Sequence, residues 1–127
     1  HIEWQSCNFT VNAAFANDWM ESFSYTVPNL LKLGVRVLIY DGDMDFVVNW
    51  IGDKAWTLAL DWPGKDSFNN LTDVPYKGAD GNIAWYSRTF QGFTFMRVHD
   101  AGHMVPLDQP LNALDMLDKF LNNQPFV

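Results

Sequence analysis

Between residues 10 and 33, Val11, Ala14, Phe15 and Trp19 recur near the 3.6-residue helical period, and Leu30, Leu31 and Leu33 close the stretch. The spacing predicts helix over most of it. Pro28 lacks an amide donor and should start or kink a helix there, and Gly34 is placed to cap its end. The rhythm then changes. Val35-Arg36-Val37-Leu38-Ile39-Tyr40 is β-branched and almost wholly apolar, which predicts a strand buried on both faces in a parallel sheet. It stops abruptly at Asp41-Gly42-Asp43-Met44-Asp45. Helical spacing resumes over 49–62, where Trp50, Ile51, Ala55, Leu58 and Ala59 share a side, and Pro63-Gly64 ends it. Residues 65–80 are polar and read as a loop. Residues 83–89 alternate as an antiparallel strand, and 93–98 form a second core strand. A loop with two histidines, His99 and His103, leads into a last amphipathic helix over 110–121. Its inward positions are expected to be Leu111, Leu114, Leu117, Phe120 and Leu121, with Asp108 or Gln109 as its cap and Pro110 in its first turn.

Helix, strand, helix, excursion, strand, helix is an α/β order. In open α/β sheets the ligand site lies beyond the carboxyl ends of the strands. Loops 41–45 and 100–106 both leave such ends, so they face each other if the two strands are parallel neighbours. Composition sharpens this. With 127 residues, 48% hydrophobic and 18% charged, the chain is no disordered acidic tail despite its net charge of −7. Its 16% aromatic content can drive a core at about 25 cal/mol per Å² buried. The acidic balance excludes the basic stripe of a nucleic-acid binder. No apolar run approaches the ~18 residues of a membrane span. Cys7 stands alone, either as a small buried hydrophobe or as half of a disulfide to a partner outside the chain. Asn8-Phe9-Thr10 and Asn70-Leu71-Thr72 are glycosylation acceptor patterns, which with Cys7 favour a secretory or lysosomal compartment.

Three carboxylates at alternate positions after a strand allow several chemistries, besides a solvated turn. A calcium loop fails, because its sixth and twelfth positions hold Phe46 and Gly52 in place of Gly and Glu. A haloacid-dehalogenase-like phosphatase would use Asp41 as nucleophile and Asp43 as acid around magnesium. A third reading pairs Asp45 with His103. An imidazole can take a proton from a hydroxyl and return it to a leaving group, given a carboxylate to hold its tautomer. In α/β-hydrolases the chain order is Ser, Asp, His, and Asp45 precedes His103 as that order requires.

The residues of both loops also resemble a known family. The run Val37 to Gly52, with Gly42-Asp43-Met44-Asp45 at its centre, is similar to the acid segment of the serine carboxypeptidases. Ala101-Gly102-His103-Met104-Val105-Pro106 is similar to their histidine signature, and Asp108-Gln109-Pro110, Ser6-Cys7-Asn8-Phe9 and Asp18-Trp19-Met20 also match. The resemblance runs nearly end to end, weakest over 65–83. Asn49-Trp50-Ile51-Gly52-Asp53-Lys54-Ala55-Trp56 draws it towards the carboxypeptidase Y and lysosomal cathepsin A branch.

The resemblance implies the C-terminal part of an α/β-hydrolase fold, parallel core strands flanked by helices, with residues 1–127 forming one incomplete domain. It implies Asp45 as triad acid, His103 as triad base, Asp43 as structural acceptor for loop amides, and Val48 and Met104 at the substrate site. Val48 stands where the carboxypeptidase Y branch has Cys. Asp41 stands where relatives are often small or polar and uncharged, and its side chain is expected to face solvent. Cys7 suits the family's bridge to the N-terminal half. No serine here sits in Gly-x-Ser-x-Gly, so the nucleophile is expected upstream, in the N-terminal part of the same enzyme. The implied activity is release of C-terminal residues from peptides through an acyl-enzyme, without metal or cofactor, in a lysosome, a vacuole or outside the cell. The chain alone should be inactive, and it should expose apolar surface or pair with a second copy. An acyltransferase, a lyase or an inactive binding subunit of the same fold remain alternatives.

Overall fold

The computed structural model describes residues 3–127, in the order α1 (Phe9–Ala14), α2 (Thr26–Lys32), β1 (Val37–Gly42), α3 (Trp50–Ala59), α4 (Lys65–Asn69), β2 (Val74–Lys77), β3 (Ile83–Phe90), β4 (Phe93–Val98), α5 (Val105–Asp108) and α6 (Pro110–Leu121). The four strands form one sheet in the order β1-β4-β3-β2. Only β1 and β4 are parallel, and the β4–β3 and β3–β2 pairs are antiparallel. The α/β expectation therefore holds, with one parallel pair at the site rather than a wholly parallel sheet. A two-residue turn joins β3 to β4, with both Gln91 and Gly92 at positive φ, as a tight hairpin matching the strand twist requires.

The sheet is covered on both faces. Phe93 and Phe95 of β4, with Val37 and Ile39 of β1, pack beside Val27, Leu60, Trp62 and Phe68 from the α2–α4 side. The alternate residues Met96, Val98 and Leu38 pack with Trp85, Val105, Ala113, Met116 and Phe126 on the α5–α6 side. This two-sided burial is what the unbroken apolar run of β1 predicts. Because β1 is an edge of this sheet, Val37, Leu38 and Ile39 are only half-buried and Tyr40 is exposed, and burial is complete only at the last two residues, Asp41 and Gly42.

Several elements depart from their expected form. Residues 10–33 hold two short helices, not one long stretch. α1 buries nothing, and after it Phe15, Ala16, Asp18 and Glu21 each donate to the carbonyl three residues back. A six-residue helix without packing has little to sustain it, since isolated helices are marginal below about 12 residues. Gly34 does cap α2: at φ +76 it lets Val35 N donate to Leu30 O at 3.0 Å. On α3, Ile51, Ala55 and Ala59 are exposed, whereas Thr57 and Leu60 are buried. The polar excursion contains a helical turn anchored by the fully buried Phe68, and the edge strand β2, whose Tyr76 stacks on Trp85 at 4.2 Å. An edge strand tolerates polar residues because one side faces water, and so it reads as loop.

The last helix has the expected bounds, but its inward face is different. Ala113 and Met116 meet the sheet, Phe120 is partly buried, and Leu111, Leu114, Leu117 and Leu121 are exposed. Periodicity identifies residues that share a face, not which face the rest of the fold covers. Neither proposed capping side chain bonds to the first-turn amides. Gln109 holds the cap position, and Asp108 is drawn back to Gly102.

Candidate active site

The β1–β4 register sets Asp41 opposite Arg97 and Gly42 opposite Val98, so the two loops leave adjacent carboxyl ends. Backbone bonds join them: Asp43 N donates to Val98 O and Met44 N to Ala101 O, each at 2.9 Å. Gly42 permits this approach. A Cβ there would lie 2.1 Å from the Ala101 carbonyl oxygen, well inside contact distance.

Across this junction Asp45 Oδ2 lies 2.8 Å from His103 Nδ1. The other carboxylate oxygen, Oδ1, accepts from the amides of Val47 at 2.9 Å and Val48 at 3.1 Å. The His103 bond and those two amides hold the Asp45 carboxyl below its ordinary range despite opposing desolvation, so it is ionised. An ionised Asp45 requires Nδ1 of His103 to carry the hydrogen, which leaves Nε2 with the basic lone pair. The Asp45 side chain is 8% exposed and that of His103 73%, so the acid is sheltered and the imidazole presents an open edge.

A second pair stands beside the first. Asp43 Oδ1 accepts from Asp100 N, and its Oδ2 lies beside His99 Nδ1, both at 2.9 Å. Asp100 sits at φ +51, a region that Asp tolerates better than most residues. Donor atoms of Asp43, His99 and Asp100 come within 4.8 Å of one another, the one such group with metal-ligand chemistry among the described residues. Sequence reading missed the supports of the histidine loop. Asp108 accepts from Gly102 N at 2.7 Å, and Gln109 Nε2 donates to the Asp100 carbonyl at 3.1 Å. The short helix α5, which carries Asp108, was hidden in what read as loop.

Asp41 corrects an expectation. It does not face solvent; it is 9% exposed, and its Oδ2 has no hydrogen-bond partner among the described residues. Burial first, then the neighbouring Asp53 and Asp45 carboxyls, push its pKa up to about 8. A neutral carboxyl is a poor nucleophile towards phosphate, which counts against the phosphatase reading. The cause is strand geometry: side chains alternate, and Asp41 falls on the covered face before the chain leaves the sheet.

Val48 and Met104 flank the pair, both exposed, with Met104 directly after His103. Cys7 is exposed and free. Asn8 caps α1, its Oδ1 accepting from Thr10 N and Val11 N at 3.1 Å each. Asn70 is exposed at the end of α4.

The serine carboxypeptidase family profile matches residues 1–123. The chain belongs to the serine carboxypeptidase family. It is 46% identical to carboxypeptidase Y homolog A of Podospora anserina over 97% of its length, and 45% identical to carboxypeptidase Y of Candida albicans over 94%. It spans 23% and 22% of those relatives' lengths. Its fold superposes on Kex1(delta)p, a prohormone-processing carboxypeptidase from Saccharomyces cerevisiae, with a TM-score of 0.78 at 24% identity, over 94% of this chain and 26% of that one. No helix of the described residues is long and apolar enough to cross a membrane.

Proposed function

We propose that this chain supplies the acid and the base of a Ser-Asp-His triad in a serine-type carboxypeptidase, with the serine on a segment outside these 127 residues. The 2.8 Å contact between Asp45 and His103 carries the reading. The serine hydroxyl would attack the last peptide carbonyl as its proton passes to His103 Nε2. Collapse of the tetrahedral adduct would return that proton to the leaving amine, releasing the C-terminal residue and leaving an acyl-enzyme. Water, deprotonated by the same nitrogen, would then cleave the ester, and its proton would return to the serine. Asp45 would hold the tautomer and stabilise the imidazolium. Val48 and Met104 would line the substrate site. No step requires a metal or cofactor.

The remaining surface supports a partner from the same enzyme. β1 has β4 on one side only, and beside it lies an open apolar cavity of about 470 Å³, lined by Leu38, Tyr40, Ala113, Leu114, Leu117 and neighbours. The N-terminal part of the enzyme would cover this face, and the exposed Cys7 would bridge to it. A lysosome-like, vacuolar or extracellular setting fits Cys7 and the exposed Asn8 and Asn70 as a disulfide and glycosylation sites. The test is His103→Ala in the full enzyme, assayed on a blocked dipeptide. Activity should fall by about 10³-fold or more, and near-normal turnover would remove His103 from the triad.

A further inference from the structure

His103 hangs between two anchors. Ala101, two residues before it, and Val105, two residues after it, are both buried, while His103 and Met104 between them are exposed. The anchors fix where the loop runs. They leave the peptide units on either side of His103 free to turn, because each residue keeps two soft dihedrals, and those units set the direction in which the ring leaves the chain.

One residue grips both flanks. Asp108, at the end of α5, accepts from Gly102 N at 2.7 Å through its Oδ2, and its own amide donates to Met104 O at 3.1 Å. The carboxylate lies against the open face of Gly102, where an added Cβ would come 3.2 Å from Oδ2. The loop is held further back as well. Gln109 Nε2 donates to the Asp100 carbonyl at 3.1 Å, and Asn112 Nδ2, donating to Gln109 Oε1 at 3.0 Å, fixes which way that amide faces. Asp43 accepts from Asp100 N, and Met44 N donates to Ala101 O. Every other grip on this loop therefore falls at Asp100 or Ala101, and the peptide units adjoining His103 depend on Asp108.

We propose that Asp108 is the positioning residue of His103, bridging the backbone just before and just after it. The catalytic consequence rests on the triad reading; the structural one rests on the hydrogen bonds alone. His103 Nδ1 stays 2.8 Å from Asp45 Oδ2 only while the backbone carrying the ring stays in place. Without the Asp108 carboxylate, Gly102 N turns towards water and the ring swings with it. Nε2 then no longer faces the serine hydroxyl. The loss falls on the chemical step, since proton transfer needs donor and acceptor within hydrogen-bond reach.

The full enzyme is compared with its Asp108→Ala and Asp108→Asn variants. Asp108 is exposed, so Ala leaves no cavity; it removes the acceptor. Asn removes the charge but keeps an oxygen for Gly102 N. Rates on a blocked dipeptide are taken per folded molecule, and the downfield Nδ1 proton of His103 is recorded in each protein. Asp108→Ala should lose about 10²-fold in kcat, as a displacement of about 1 Å does, with KM nearly unchanged. Its downfield proton should broaden or vanish. Asp108→Asn should recover kcat to within about tenfold of wild type and restore the proton signal, because a neutral acceptor keeps about half the strength of a charged one. If Asp108→Asn is as impaired as Asp108→Ala, the charge matters and the bond does not, and the inference is overturned. It is overturned too if Asp108→Ala keeps the wild-type kcat and His103 signal, or loses activity through KM or folded yield alone. Near-normal turnover in His103→Ala would instead remove the triad, and the His103 proton in the Asp108 variants would still decide whether Asp108 positions the ring.

Discussion

Replacing Asp45 by Asn separates charge from shape at the candidate site. Asp45 Oδ1 already accepts from the Val47 and Val48 amides. An asparagine that keeps those two bonds must place its carbonyl oxygen there and turn its Nδ2 towards His103 Nδ1, at the 2.8 Å now spanned by Oδ2. Two donors then face each other, so the imidazole must move its hydrogen from Nδ1 to Nε2. The nitrogen that should accept the serine proton becomes a donor. The flipped asparagine fares no better, because its NH₂ would meet both amides. Loss of the acid through a wrong tautomer costs about 10⁴ in kcat in Ser-His-Asp enzymes, and that loss is expected here. Asp43→Asn works through the same geometry on His99, whose nitrogen holds no role in the proposed triad, so its cost should stay within about tenfold. The assay is kcat on a blocked dipeptide with the full enzyme, alongside ¹⁵N shifts of His103 to read the tautomer. An Asp45→Asn enzyme within tenfold of wild type, or one less impaired than Asp43→Asn, would refute the reasoning.

Other consequences concern the framework. Asp41 has a raised folded-state pKa, so its contribution to stability is greatest below the unfolded value near 4 and is lost as pH rises towards about 8. Urea melts of the full enzyme should show a falling slope of up to about 1.4 kcal/mol per pH unit across that window, and Asp41→Asn should remove it. Gly42→Ala places a Cβ against the Ala101 carbonyl and should cost about 3 kcal/mol or more, measured by the same melts, with disordered 99–103 resonances. Asp73 holds both Lys54 and the buried Arg88. Asp73→Ala leaves Arg88 unpaired and should cost about 3–5 kcal/mol. Burial tends to raise the Asp73 pKa, but Lys54 and Arg88 outweigh it and lower it overall. That stabilisation is therefore present above about pH 4 and lost as pH falls below it, an acid limb that the Ala variant should lack.

The chain order alone made much of the site legible. Val37 to Tyr40 announced a covered strand, Phe93 to Val98 a second, and the breaks after each marked where polar groups leave the core. The Asp45–His103 pairing followed because loops at the ends of parallel neighbours must meet, and β1 and β4 are such neighbours. Where the reading failed, the deciding partner lay far away in sequence. Tyr76 makes β2 a strand by stacking on Trp85, and Phe68 makes a helical turn by filling the space beside Trp62 and Phe93.

Local pattern determined which residues share a face, where elements stop and which chemistry the two loops contain, because those depend on backbone periodicity and side-chain type. The tertiary structure decided what each face meets. It turned Leu111, Leu114 and Leu117 outward and Ala113 and Met116 inward, and it set Asp41 under cover beside Asp53. Burial and the pKa of a carboxyl are set by neighbours brought together from distant parts of the chain, and a one-dimensional pattern does not carry that information.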